Sequence, residues 1–166
     1  MECEQIVDAV RDWLDGEDWH YEYDADRQVI RSGVSLSSKI KSCKILILFH
    51  DDSYTVYLCA PISGDVDDLN ELNKYLARAN YGLRNGNFEL DWDDGEIRYK
   101  VYVNCEGLET LPEVIVQESV LCGCAMMERY GNGIAALALG FSDADTEIQK
   151  AENSEDDAAE DGDSEE

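Results

Sequence analysis

"NFELDWDDGEIRYKVYV", residues 87–103, is the stretch on which the fold turns. Read with Asp94-Gly95 as a two-residue turn, the favoured chemistry of a tight hairpin, it sets Trp92 opposite Ile97, Leu90 opposite Tyr99 and Phe88 opposite Val101. The same register puts Asp91 against Arg98 and Glu89 against Lys100. Side chains alternate across a strand, so one face of this hairpin is apolar and the other carries opposed charges. That pattern predicts an antiparallel sheet with one face on a core and the other in water. The stretch also imitates a calcium loop. With Gly95 at the sixth position of an EF-hand, however, Leu90, Trp92 and Val101 fall at the first, third and twelfth, where oxygen donors are required. The aspartates belong to a turn.

Upstream, "DLNELNKYLARANYGL" (68–83) places Leu69, Leu72, Leu76, Ala79 and Leu83 at spacings of three and four, an amphipathic helix that Ser63 or Asp65 can cap. "CKILILFHDDSYTVYLCAP" (43–61) reads as two apolar strands joined across residues 50–53, and its "KILILF" is continuous enough for a strand covered on both faces. "WHYEYDADRQVIRSGVSL" (19–36) reads as two extended runs around a turn at 24–27. Ile6, Val10, Trp13 and Leu14 make residues 2–15 an amphipathic helix ended at Gly16. Downstream, Thr110, Pro112 and Glu113 signal the start of a long helix with a capping box. Val116, Val120, Cys124, Met127 and Ile134 continue its apolar side, and Gly131 and Gly133 are placed to bend it.

Charge divides the chain. Its formal net charge is -25 over 166 residues, and from Ser142 onward twelve carboxylates face the single Lys150. That segment has nothing to bury after Phe141, so the expectation is a folded domain over 1–141 and a disordered acidic tail over 142–166, either solubilising or an arm for a basic partner. The overall charge repels nucleic acid and anionic membranes. No apolar run is long enough for a membrane span, and the acidic, amphipathic N-terminus does not resemble a signal peptide. A cytoplasmic location with reduced cysteines is expected.

Candidate chemistry is sparse. "VLCGCAMMERYGNG" (120–133) offers two thiols and two thioethers, the soft donors of a metal site. On a helix, though, residues two apart are turned by about 200°, so Cys122 and Cys124 point away from each other. The two histidines, His20 and His50, lie far off in sequence. Packing is the expected role, with no metal and no cofactor. His50-Asp51-Asp52 reads as a solvated turn, and Cys43, Cys59 and Cys105 have no activating base nearby in sequence. An enzyme would need a site assembled in space from thiols or His and carboxylates.

The elements from residue 65 to 140, with Leu69, Leu72, Asn73, Gly86, Phe88, Gly95 and a long helix ending around Tyr130, resemble the YbjN family, grouped with the type III secretion chaperone-like fold. The N-terminal half matches in element order only. The resemblance implies a small acidic α+β bacterial protein, often dimeric, similar in shape to chaperones that hold extended segments of other proteins. It also implies a sensory transduction regulator, and it carries over no catalytic residue.

The expected architecture is therefore α+β, an antiparallel sheet of about five strands with helices packed on one face, in the order helix, strands, helix, hairpin, long helix. The expected function is a non-enzymatic protein-binding module, chaperone-like or a regulatory adaptor, taking a protein or peptide client and forming a homodimer. A purely structural or regulatory domain and a thiol or hydrolytic enzyme are the alternatives. The candidate partner-binding residues are Trp19, Tyr21 and Tyr23, which share one strand face and form either part of the core or an exposed aromatic patch.

Overall fold

The structure is a computed structural model that describes residues 1–153. Along the chain come α1 (Cys3–Gly16), β1 (Tyr21–Asp24), β2 (Val29–Ser35), β3 (Ser42–Phe49), β4 (Ser53–Cys59), α2 (Leu69–Asn80), β5 (Asn87–Leu90), β6 (Ile97–Asn104), α3 (Glu113–Ala138) and α4 (Ala144–Asn153). The six strands form one antiparallel sheet in the order β1-β2-β3-β4-β6-β5. The four helices pack against it, and the fold class is α+β.

Alternation along each strand separates two faces. Ile30, Ile45, Ile47, Phe49, Tyr54, Val56, Leu58, Ile97, Tyr99 and Val101 point toward the helices and are buried. The opposite face carries Arg31, Lys44, Leu46, Leu48, Tyr57, Arg98, Lys100 and Tyr102, half-buried or exposed, together with the small buried Thr55 and Cys59 of the central β4. "KILILF" thus lies in a strand covered on one side only. Its outward Leu46 pairs across strands with Arg31 and Tyr57, whose long side chains shelter it without a second layer.

The long helix shows why its glycines are there. A Cβ at Gly123 would stand 2.3 Å from Leu58 Cδ1, and one at Gly133 would stand 2.3 Å from Tyr75 Oη. These positions let α3 settle directly onto β4 and α2. Gly131 and Gly133 do not end the helix, which runs unbroken through Ala138, because close approach supplies what glycine's propensity loses. The helix begins on Pro112 without the Thr110 capping box, and α2 begins at Leu69, later than Ser63 or Asp65 would place it. The capping box forms instead on α1, between Glu2 and Gln5.

The deciding hairpin keeps its predicted faces but not its predicted register. Phe88 pairs with Tyr99 and Leu90 with Ile97, while Glu89 sits opposite Arg98. This is a slip of two residues, which preserves the apolar and charged sides. The connection is longer than a two-residue turn. Asp91 accepts the Asp93 N–H at 2.8 Å, the Gly95 N–H reaches the Asp91 carbonyl, and Asp94 accepts the Glu96 N–H at 3.0 Å. Gly95, at φ +73°, then docks on Gly64, whose N–H donates to its carbonyl at 3.0 Å. Trp92 consequently leaves the core face and stands exposed in the loop.

The C-terminal boundary needs correction too. Residues 144–153, expected in the disordered tail, form α4, with Ala144, Ile148 and Ala151 buried against the other helices. Tertiary contacts with α2 and α3 hold a segment whose composition alone suggests no fold. The rest of the expected tail, 154–166, lies outside the described residues.

Candidate protein-binding site

Trp19, Tyr21 and Tyr23 are brought together on the helix side of the edge strand β1, half-buried beneath α1. Register explains the direction: Tyr23 pairs with Ile30, which belongs to the inward set. The Trp19 ring lies 5.8 Å from that of Trp13, and Tyr23 meets Phe49 edge-on at 6.4 Å. Arg11 of α1 lies over the Tyr23 ring at 5.5 Å and donates from Nε to the Tyr21 hydroxyl at 3.3 Å. That hydroxyl donates in turn to Asp15 Oδ1 at 2.9 Å. Burial, then the neighbouring Cys3, raises the Tyr23 phenol above its ordinary pKa. The Tyr21 hydrogen bond raises the already high pKa of Arg11, so the cation is permanent.

These groups line an open cleft of about 580 Å³ together with Asp18 and His20. A second cleft of about 690 Å³ opens on the other side of the same strand, over Gly33 and between Arg31, Lys44 and Leu46. His20 and Tyr21 border both. Strand β1 is therefore a rib between two concavities, at one edge of the sheet. The opposite edge is closed: on β5, Asn80 donates from Nδ2 to the Phe88 carbonyl at 3.0 Å and accepts the Phe88 N–H at 2.7 Å. Among the described residues no side chain bonds the backbone of Tyr21–Asp24 in this way.

On the exposed sheet face Glu89 is the centre of a charge cluster. Glu89 takes Arg98 at 2.8 Å and Lys100 at 3.0 Å, and Arg98 lies 4.4 Å over the Tyr57 ring. Burial raises the Glu89 pKa, but the two cations outweigh it and hold the carboxyl below its usual value.

The cysteines are all free. Cys122 turns to Tyr99, 3.7 Å from its hydroxyl, and to the Asn85 carbonyl, whereas Cys124 faces the neighbourhood of Cys43. The pair is thus divided between two environments, as their helical spacing predicts. Burial pushes Cys43 up to about 12 and Cys124 up to about 11, and raises Cys3, Cys59 and Cys105 as well. A thiol nucleophile needs the reverse shift. His50, Asp51 and Asp52 are exposed in a tight turn closed by the His50 N–H on the Ser53 carbonyl. Among the described residues no group of three His, Cys, Asp or Glu is placed to hold a metal ion, and no helix is long and apolar enough to cross a membrane.

Sequence reasoning missed Arg11 and Asp15 as members of the cleft. Their spacing of four on α1 was visible, but it points at β1 only once the helix is laid on the sheet.

No curated protein matches the chain. Its fold is similar to the crystal structure of YbjN from E. coli, described there as "a putative transcription regulator", at a TM-score of 0.57. The two share 11% identity over 78% of this chain and 91% of that one, a likeness that speaks for the fold alone. The sequence profile of YbjN, described as "Putative bacterial sensory transduction regulator", matches residues 7–133. A match over more than half of its length means that the chain belongs to the YbjN family.

Proposed function

We propose that the chain is a non-enzymatic protein-binding regulator, acting in the cytoplasm, that holds an extended segment of a partner protein along β1. The observation that carries this reading is the contrast between the two sheet edges. One is closed by Asn80, while the other lies between two clefts on opposite faces. A strand added to a sheet edge gains backbone hydrogen bonds, and its alternate side chains enter pockets on either side. Here the residues offered would be Trp19, Tyr21 and Tyr23 on one side and Arg31, Lys44 and Leu46 on the other. Aromatic rings bury much area at little entropic cost. The raised thiol pKa values and the solvated His50 turn favour binding over catalysis.

A second reading, a homodimer joined at the same edge, uses the same residues. The net charge of -25 weighs against it, since two copies repel, and favours a client with basic residues. Replacing both Tyr21 and Tyr23 by Ala tests both readings, with sedimentation and far-UV circular dichroism measured together. The expected result is an intact fold with weakened client capture. Intact folding with unchanged capture and unchanged self-association removes this edge from consideration.

A further inference from the structure

Helix α4 lies beyond the part of the chain that the YbjN profile matches, and a short connection of residues 139–143 joins it to α3. It has ten residues and Ile148 is its only large buried apolar side chain, flanked by Ala144 and Ala151. A helix this short and acidic is marginal alone, so its conformation comes from the cleft that receives it.

The cleft is equipped to recognise a helix. Along α2, Glu71, Lys74 and Arg78 fall at spacings of three and four. Glu71 Oε2 accepts the Ala144 N–H at 2.8 Å, filling one of the unpaired donors at the start of α4. Lys74 and Arg78 both donate to the Asp145 carboxylate, each at 2.6 Å. At the other end, Arg129 of α3 donates to the Ala151 carbonyl at 3.3 Å. Each of these contacts reads a feature that any helix with an acidic first turn would present. None requires that the helix be joined to α3.

Burial of Ala144, Ile148 and Ala151 carries the attachment, and its polar part is light. The side chains of Lys74, Arg78 and Asp145 are 46%, 44% and 55% exposed, and ion pairs so hydrated contribute little net stability. Beside them the connecting turn leaves Leu139 and Phe141 exposed to water, at 54% and 81%.

We propose that the cleft between α2 and α3 is a helix-docking site, that α4 is its resident occupant, and that it accepts in trans an amphipathic helix of a partner protein bearing a carboxylate in its first turn above an Ala-x3-Ile-x2-Ala stripe. Charge complementarity selects this partner: Lys74 and Arg78 form a cationic pair on a protein of net charge -25. The site is independent of β1, and a failure of either reading leaves the other standing.

The probe is a fluorescent peptide of residues 142–153, titrated against the full chain and followed by anisotropy. In the wild type, α4 competes, so apparent affinity falls with the fraction of open cleft. The full-length Ile148→Asp variant should bind the peptide about tenfold or more tightly than wild type, because its own helix no longer fills the cleft. Adding Lys74→Glu and Arg78→Glu should abolish that binding, whereas Tyr21→Ala with Tyr23→Ala should leave it unchanged. A folded Ile148→Asp chain that ignores the peptide overturns the proposal. So does one that unfolds, since the cleft would then not persist without its own helix. A second measurement avoids the substitution: a protease site inserted into residues 139–143 is cut in the folded chain. Excess peptide should displace the released helix, and a helix that stays bound and does not exchange overturns the proposal. Exchange of α4 between copies, seen as an intermolecular disulfide between Arg78→Cys and Asp145→Cys chains, would assign the cleft to a second copy and overturn the partner.

Discussion

The Tyr75 hydroxyl donates to the Tyr130 carbonyl at 3.0 Å, buried between α2 and α3, and it reaches that carbonyl because residue 133 has no side chain. A phenol is thereby inserted against the backbone of the long helix, with the two tyrosine rings edge-on at 6.1 Å. The hydrogen bond and the glycine form one unit.

Gly133→Ala should therefore destabilise the protein although alanine is the better helix former. The added Cβ would fall 2.3 Å from Tyr75 Oη, and forced overpacking costs about 1–3 kcal/mol. The ring carbon Cζ stands nearly as close to the added methyl as Oη does, so only loss of the ring relieves the clash: in a Tyr75→Ala background Gly133→Ala should cost less, giving a non-additive cycle in urea denaturation. Additive losses would show that the two residues are not coupled.

Ending the chain after Phe141 should lower stability by about 2–4 kcal/mol relative to a chain ended after Asn153, because it exposes the surface that Ile148, Ala144 and Ala151 cover. Equilibrium unfolding of the two chains provides the comparison. Equal stabilities would mean that α4 contributes nothing to the fold.

Trp92 reports the hairpin register, with Ile97, buried in either register, as the control. Trp92→Ala should change stability by less than about 0.5 kcal/mol, since the ring is exposed in the loop. Ile97→Ala, at a fully buried site, should cost about 2–5 kcal/mol. A large loss at Trp92 would restore the register with the two-residue turn.

Thiol reactivity should follow burial. With pKa values near 12 and 11, Cys43 and Cys124 hold almost no thiolate at neutral pH. In native protein at pH 8 both should stay unmodified by iodoacetamide and react only after denaturation, as read by peptide mass spectrometry. Rapid native labelling of either would reopen thiol chemistry.

Stability should also fall on acidification through Glu89. Its folded pKa lies below its ordinary value, so its contribution is present above the unfolded pKa and is lost as pH falls through the folded one. Glu89→Gln should flatten the acid limb of the stability profile by up to about 1 kcal/mol, the scale of a partly exposed pair. An unchanged acid limb would place the pH dependence elsewhere.

What the sequence determined by itself was whatever depends on local periodicity. Phe88, Leu90, Ile97, Tyr99 and Val101 had to share a face because side chains alternate with a period of two, and a slip by two residues cannot alter that. The stripe of Ile6, Val10, Trp13 and Leu14 likewise made α1 legible, as did Leu69, Leu72, Leu76 and Ala79 for α2. Cys122 and Cys124 had to part because a helix turns them away from each other. Only tertiary structure decided the rest. The hairpin register depends on Gly95 meeting Gly64, a contact thirty-one positions apart. The close packing of α3 on α2 depends on Tyr75 filling the space at Gly133, and α4 exists because α2 and α3 together bury Ala144, Ile148 and Ala151. The direction of Trp19, Tyr21 and Tyr23 was open in the strand pattern until α1 lay across them and Arg11 reached Tyr21. Such contacts join residues that share no local pattern, so their energies act only after the chain has brought them together.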